Sequence, residues 1–235
     1  MKCPNCTTEM TGMTLEARMG VDVEIDVCAG CQAFWFDKYE SLKLSPASTL
    51  KLMKFIGEHP STVKELASKD LRCPRCAIPL KATNDLQGST RFSYWRCTGE
   101  HGRFTRFFEF LKEKSFIRAL SAQQIQELRQ NIQTLNCSNC GGPIDLMTSS
   151  ACLHCGSPIS MLDMKQPQEL LRQLSKAKPE TTDSELAFRL AAAKLEVETS
   201  IGQNTGPTWW RYASTDGLVQ AGLSAVARWL NKAGH

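Results

Sequence analysis

No stretch of the 235-residue sequence is apolar for long enough to cross a bilayer, which argues against a transmembrane segment. Even Leu146 to Leu162, which lacks Lys, Arg, Asp and Glu, is rich in serine and broken by Pro158. Cysteines already stand at positions 3 and 6, where a secretory leader would need basic and then apolar residues, so a cytoplasmic protein is expected. A nucleophile elbow, a P-loop and a dinucleotide fingerprint are also missing, so the expectation is a protein that is not an enzyme. A closed disulfide framework fits poorly, because eleven cysteines is an odd count and a reducing compartment keeps thiols free for metal.

What is abundant is the spacing C-x-x-C. Ten of the eleven cysteines form five such pairs, and only Cys97 stands apart. Cys3 and Cys6 face Cys28 and Cys31; Cys137 and Cys140 face Cys152 and Cys155; Cys73 and Cys76 are followed by Cys97 and then His101. Each set supplies the four soft or borderline ligands that Zn²⁺ takes in a tetrahedron, so three zinc ions per chain are expected. Iron at rubredoxin-like spacing is the metal alternative, but nothing else in the chain suggests electron transfer. A redox dithiol of thioredoxin type would need a surrounding α/β unit, and none is visible. His154 lies between Cys152 and Cys155, where ligand geometry points it outward, and it reads as a bystander.

The segments between ligand pairs read as hairpins. In "VDVEIDVC", Val21, Val23, Ile25 and Val27 alternate with acids, the period of a half-buried strand, and Gly20 marks the preceding turn. The middle set repeats the plan, with a turn at Gln87-Gly88-Ser89 before "STRFSYWRC". Gly141 and Gly156, each directly after a second cysteine, suit turns that need an unusual backbone conformation. Cys3, Pro4, Cys6, Cys28, Cys31, Trp35, Asp37 and Glu40 together resemble the transcription-factor-IIB-type zinc ribbon domain, over about the first 45 residues. Gln32-Ala33-Phe34 departs from that family's paired glycines. The resemblance implies a zinc-bound hairpin fold and, by analogy only, transcription. Asp37 to Glu40 reads as a capping box, and Trp35 as core covering the metal.

Helices are expected between and after the ribbons. Ser45-Pro46 opens one, Ser61 another toward Lys69, "FFEFLKEKSFIRAL" forms a third, and Ser121 with Gln124 caps a fourth bearing Ile125, Leu128, Ile132 and Leu135. Beyond Gln166 comes a helical tail with a stripe of Leu186, Leu190, Ala193 and Val197, the adjacent Trp209 and Trp210, and a closing helix from Leu218. That last helix is apolar almost all round, with a polar stripe of Gln220, Ser224 and Arg228, so something must cover it. Packing on its own chain ranks first. A partner or self-association contact through Trp209, Trp210, Val219, Leu223 and Trp229 ranks second.

The formal charge of +4 invites nucleic-acid binding, but eleven thiolates and three dications would together bring it to about −1. Residues 1–40 carry three basic and seven acidic side chains, and residues 137–164 carry no Lys or Arg. Residues 70–118 are basic, and there Arg91, Arg96, Arg103 and Arg106 interleave with aromatics that can stack on bases. The expectation is weak nucleic-acid binding at most, with protein recognition or assembly as the role and a transcription-related nucleic-acid binder as the alternative.

The expected fold is a small metal-stabilised α+β protein: ribbons at 1–44, 70–120 and 137–164, helical linkers at 45–69 and 121–136, and a helical tail at 165–235. Treated as separate modules, the ribbons should lose metal one at a time, so that Cys3→Ser empties only the first set.

Overall fold

The computed structural model describes residues 1–18, 21–59, 70–88, 90–163, 165, 169 and 217–233. The calls at Gly20, Ser61 to Lys69, the tail before Gly217, and the Trp209-Trp210 pair lie outside the described residues. The fold is α+β, and among the described residues no helix is long and apolar enough to cross a membrane. The chain divides into two compact units, Met1–Thr49 with Ser61–Ser115, and Leu50–Pro60 with Phe116–His235.

The first unit is built on one antiparallel sheet. Strands β1 (Thr11–Glu16), β2 (Asp22–Cys28) and β3 (Ala33–Phe36) come from the first ribbon; β4 (Lys81–Gln87), β5 (Thr90–Arg96) and β6 (Arg103–Arg106) come from the second. Their order is β1-β2-β3-β6-β5-β4, a palindrome in which the two third strands pair, Phe34 opposite Thr105 and Trp35 opposite Phe104. The ribbons are therefore two copies of one plan, joined edge to edge about a local two-fold. The bridge between Lys2 and Glu9 recurs seventy residues later between Arg72 and Pro79, as Cys3 and Cys6 recur at Cys73 and Cys76. The expected alternation holds in β2, where Val23, Ile25 and Val27 are buried, while Val21 just before it is exposed.

Strand β3, "AFWF", is buried at all four positions because both its faces are covered. Ala33 and Trp35 point to the cysteine side, in a core with Cys3, Cys28, Cys31, Cys73, Cys97, Met10, Leu71 and Phe104. Phe34 and Phe36 point the other way and meet Phe107 and Phe110 at ring-centroid distances of 4.4 to 5.7 Å. Those two phenylalanines belong to α3 (Phe107–Glu113).

Two local expectations are corrected here. Helix α1 (Glu40–Lys43) has Tyr39 as its N-cap, with φ of 65°, and no side-chain cap. Only half of the expected box forms, Asp37 N–H donating to Glu40 Oε2 at 2.7 Å, because the Asp37 carboxylate is engaged elsewhere. The helix in "FFEFLKEKSFIRAL" stops at Glu113; Ser115 takes φ of 59°, and Ile117–Ala119 becomes strand β7.

In the second unit β7 pairs with β10 (Ser160–Leu162), and β8 (Thr134–Asn136) pairs with β9 (Pro143–Asp145). Helix α4 (Ala122–Asn131) carries the expected capping box, Ser121 Oγ accepting from Gln124 N–H while Gln124 Oε1 accepts from Ser121 N–H. Leu128 and Leu135 are buried in one core with Ile144, Leu146, Ile159 and the cysteines of the third set, Ile125 and Ile132 packing at its margin; Leu135 reaches it from β8 rather than from the helix.

Helix α2 (Pro46–Glu58) starts as expected, with Ser45 Oγ accepting from Ser48 N–H at 3.1 Å, and the boundary between the units falls within it, after Thr49. Its C-terminal end receives α5 (Leu218–Ala233). The polar stripe of α5 faces that end: Gln220 Nε2 donates to the Ile56 carbonyl and Ser224 Oγ to the Gly57 carbonyl, both at 3.2 Å. These are carbonyls that a helix terminus leaves without intrahelical partners. Val219 and Leu223 are buried at 3% and 1% exposure within the chain, so neither is the open interface residue considered from the sequence. The Trp229 side chain lies outside what is described.

Candidate metal centres

Four of the ligand pairs sit in one repeated turn. The first cysteine's carbonyl accepts from the N–H four residues on, in Thr7, Ala77, Gly141 and Gly156, and its own N–H donates to the carbonyl five residues on, at 2.8 to 2.9 Å throughout. Two further N–H groups are thereby aimed at the cysteine sulfurs: Asn5 Nδ2 reaches Cys31 Sγ at 3.3 Å and Asn139 Nδ2 reaches Cys155 Sγ at 3.8 Å. Both asparagines stand just before the second cysteine of a pair, a positional signal that could have been read beforehand. Donors of this kind disperse thiolate charge and orient the ligands.

The turn forces the residue after the second cysteine into the left-handed region. Gly141 and Gly156 have φ of 76° and 71°, as their identity suggested, but Thr7 and Ala77 take φ of 60° and 59° in the other ribbons. A side chain in that region costs on the order of 1 kcal/mol. Ala77→Gly is therefore expected to stabilise the metal-loaded protein by about 0.5–1 kcal/mol. A rise in the thermal unfolding midpoint checks this.

In each of the three sets the four ligand atoms lie within 4.8 Å of one another. Sulfur separations are 3.6 Å for Cys6 and Cys28, 3.5 Å for Cys76 and Cys97, 3.6 Å for Cys137 and Cys155, and 3.5 Å for Cys140 and Cys152. A zinc–sulfur bond of about 2.3 Å gives a tetrahedral edge of about 3.8 Å, so the sets fit the ion closely. They do not fit disulfides, whose sulfurs stand about 2 Å apart, and all eleven cysteines are free thiols. His101 completes the middle set with Nδ1 at 3.5 Å from Cys97 Sγ. His154 belongs to no set and instead lies over Gly142, where an added Cβ would meet its ring at 2.8 Å.

Packed thiols also show the charge problem that a dication solves. Hydrogen bonds from the Cys28 and Cys3 thiols pull Cys31 down to about 2, against burial. Burial in turn pushes Cys73 and Cys140 up to about 11. In the third set the Cys137 thiol draws Cys155 down to about 4. Thiols crowded this closely oppose one another's ionisation, and a bound Zn²⁺ removes that opposition.

For the middle site, His101→Ala should lower zinc occupancy while His154→Ala leaves it at the wild-type value. Elemental analysis of both variants distinguishes them, and equal metal content would mean that the fourth ligand is not His101.

The two ribbons of the first unit are tied by links that sequence reading missed. The Asp37 carboxylate accepts from Trp35 Nε1 at 2.9 Å and from Arg75 Nε at 3.0 Å, so one acid joins the Trp over the first site to the knuckle of the second. Lys38 pairs with Glu100, between Cys97 and His101. Gly102 allows the closest approach, since an added Cβ would stand 2.3 Å from the Phe36 carbonyl.

The four arginines of the middle ribbon separate into two kinds. Arg91 and Arg96 are exposed on β5. Arg103 pairs with the buried Glu113 at 2.6 Å and stacks over Tyr94 at 4.6 Å, and Arg106 is buried at 6% exposure. The expected group of four is thus not one surface, because Arg103 ties α3 to the sheet and Arg106 is buried.

No curated protein and no solved structure matches the chain. With the geometry of the first set in place, the family comparison agrees with it: residues 2–45 match the model of the TFIIB-type zinc ribbon, described as a transcription factor zinc-finger, and the three ligand sets fit three Zn²⁺.

Proposed function

We propose that the protein is a non-enzymatic, cytoplasmic recognition or assembly module whose three zinc ions hold the surfaces that a protein partner reads. The observation carrying this reading is the closure of the ligand sets. Each has four protein donors, so the metal needs no water or substrate to complete its tetrahedron and serves the fold. Charge supports a protein partner over nucleic acid. Arg103 and Arg106 are taken up inside the first unit, leaving Arg91 and Arg96 exposed on β5, and the neighbouring β4 carries Asp85. Of the ribbon's other exposed cations Arg75 is paired with Asp37, which leaves Arg72 and Lys81 beside them. So few charges neutralise few phosphates, and such binding is weak at physiological salt.

The alternative is a transcription-related nucleic-acid binder, favoured by the description of the family matched over residues 2–45. Titration of labelled DNA and RNA separates the two, at low and physiological salt, with the wild type and the Arg91→Ala/Arg96→Ala pair. Weak binding that vanishes at physiological salt is the expected result. Tight binding that survives it and is lost in the double variant would make nucleic acid the ligand. In parallel, zinc-loaded protein should retain a defined partner from nuclease-treated host extract that metal-stripped protein does not.

A further inference from the structure

Of the eleven cysteines ten are buried or half-buried, and Cys155 is the exposed one. It is a ligand of the third set, and its sulfur stands 3.6 Å from that of buried Cys137. The first set has no exposed member, and in the middle set the exposed member is His101, which carries no sulfur. An oxidant in solution therefore meets Cys155 more readily than the half-buried Cys6 and Cys76, and a second sulfur already stands beside it.

We propose that Cys155 is an oxidation site through which a peroxide expels the zinc of the third ribbon, closing a disulfide to Cys137. The Cys155 sulfur attacks one peroxide oxygen, the O–O bond breaks, and hydroxide leaves to be protonated to water. The resulting sulfenic acid is attacked by the Cys137 sulfur, and a second hydroxide leaves. Two thiolates lose two electrons in all, hydrogen peroxide becomes two waters, and Zn²⁺ departs because only Cys140 and Cys152 remain to hold it. The effect reaches beyond the ribbon, because Cys137, Cys140 and Cys152 share one core with Leu218 at the start of α5. Zinc loss removes the cross-link that shapes that core. The proposal needs zinc in the third set but is independent of which partner the protein binds.

The test uses the full zinc-loaded chain and a stoichiometric amount of hydrogen peroxide, with released zinc followed by a colorimetric chelator and disulfides mapped by mass spectrometry. One zinc per chain should be released in step with a Cys137–Cys155 bond, and a dithiol reductant with added zinc should restore the starting state. Cys155→His, which keeps a ligand but removes the oxidisable sulfur, should slow release about tenfold. If that variant fails to hold a third zinc, the wild-type disulfide map alone decides. Release first from the first or middle set, a bond joining any other pair, or release from a loaded Cys155→His chain at the wild-type rate would overturn the proposal.

Discussion

Cys3→Ser is expected to reduce the zinc content from three ions per chain to one, not to two. The first and middle ribbons do not have separate cores: Cys3, Cys28 and Cys31 pack with Cys73, Cys97, Trp35 and Phe104 in one cluster. The β3–β6 pairing, Asp37 with Arg75, and Lys38 with Glu100 join the same two ribbons. Ribbons of this size bury little apolar surface, so the metal supplies much of their folding free energy, apparent values for structural zinc being about 10–16 kcal/mol. Removing one ligand frees the first turn, withdraws Trp35 from Phe104, and opens the wall of the middle site. Cys152→Ser is the control. Its cluster lies in the other unit, and it should cost one zinc only. Elemental analysis with native mass spectrometry reads both variants. Two ions retained by Cys3→Ser would mean that the ribbons hold metal independently despite their common sheet.

Gly57→Ala should be the most damaging small substitution away from the metal sites. By helix propensity alone the exchange favours the helix by about 1 kcal/mol. The packing reverses the sign, because a Cβ at Gly57 would lie 2.2 Å from the Leu223 carbonyl oxygen and 2.8 Å from Ala227 Cβ. The nearest obstacle is backbone, which cannot rotate away, so α5 must move off α2 and lose the bonds from Gln220 and Ser224. A net destabilisation of about 2–4 kcal/mol is expected from overpacking and the lost hydrogen bonds. Denaturant unfolding and hydrogen exchange over Leu218 to Ala227 measure it. A variant of wild-type stability and unchanged protection would show that the helices do not meet at this point.

The ligands were legible because metal binding by a C-x-x-C pair is a local affair. Two sulfurs three residues apart define a turn, and the geometry of that turn also explains Gly141 and Gly156. It did not disclose Thr7 and Ala77, which occupy the same left-handed position without the residue that would mark it. Strand alternation in "VDVEIDVC" was equally local. The end of α3 was not, because "KSFIRAL" carries apolar residues compatible with a helix, and only pairing with β10 draws Ile117–Ala119 into a strand.

The sequence by itself determined three four-ligand sets, the hairpin character of the first two ribbons, and the caps at Ser45 and Ser121, all interactions within a few residues or fixed by ligand chemistry. Tertiary structure alone decided that two ribbons share a sheet, that Arg103 spends its charge on Glu113, and that α5 lies against Gly57. The reason is physical. Edge pairing of β3 with β6 uses backbone groups that every residue carries, and an arginine's partner is chosen by where the chain returns. A glycine that admits a neighbouring helix shows in the sequence only as a missing side chain.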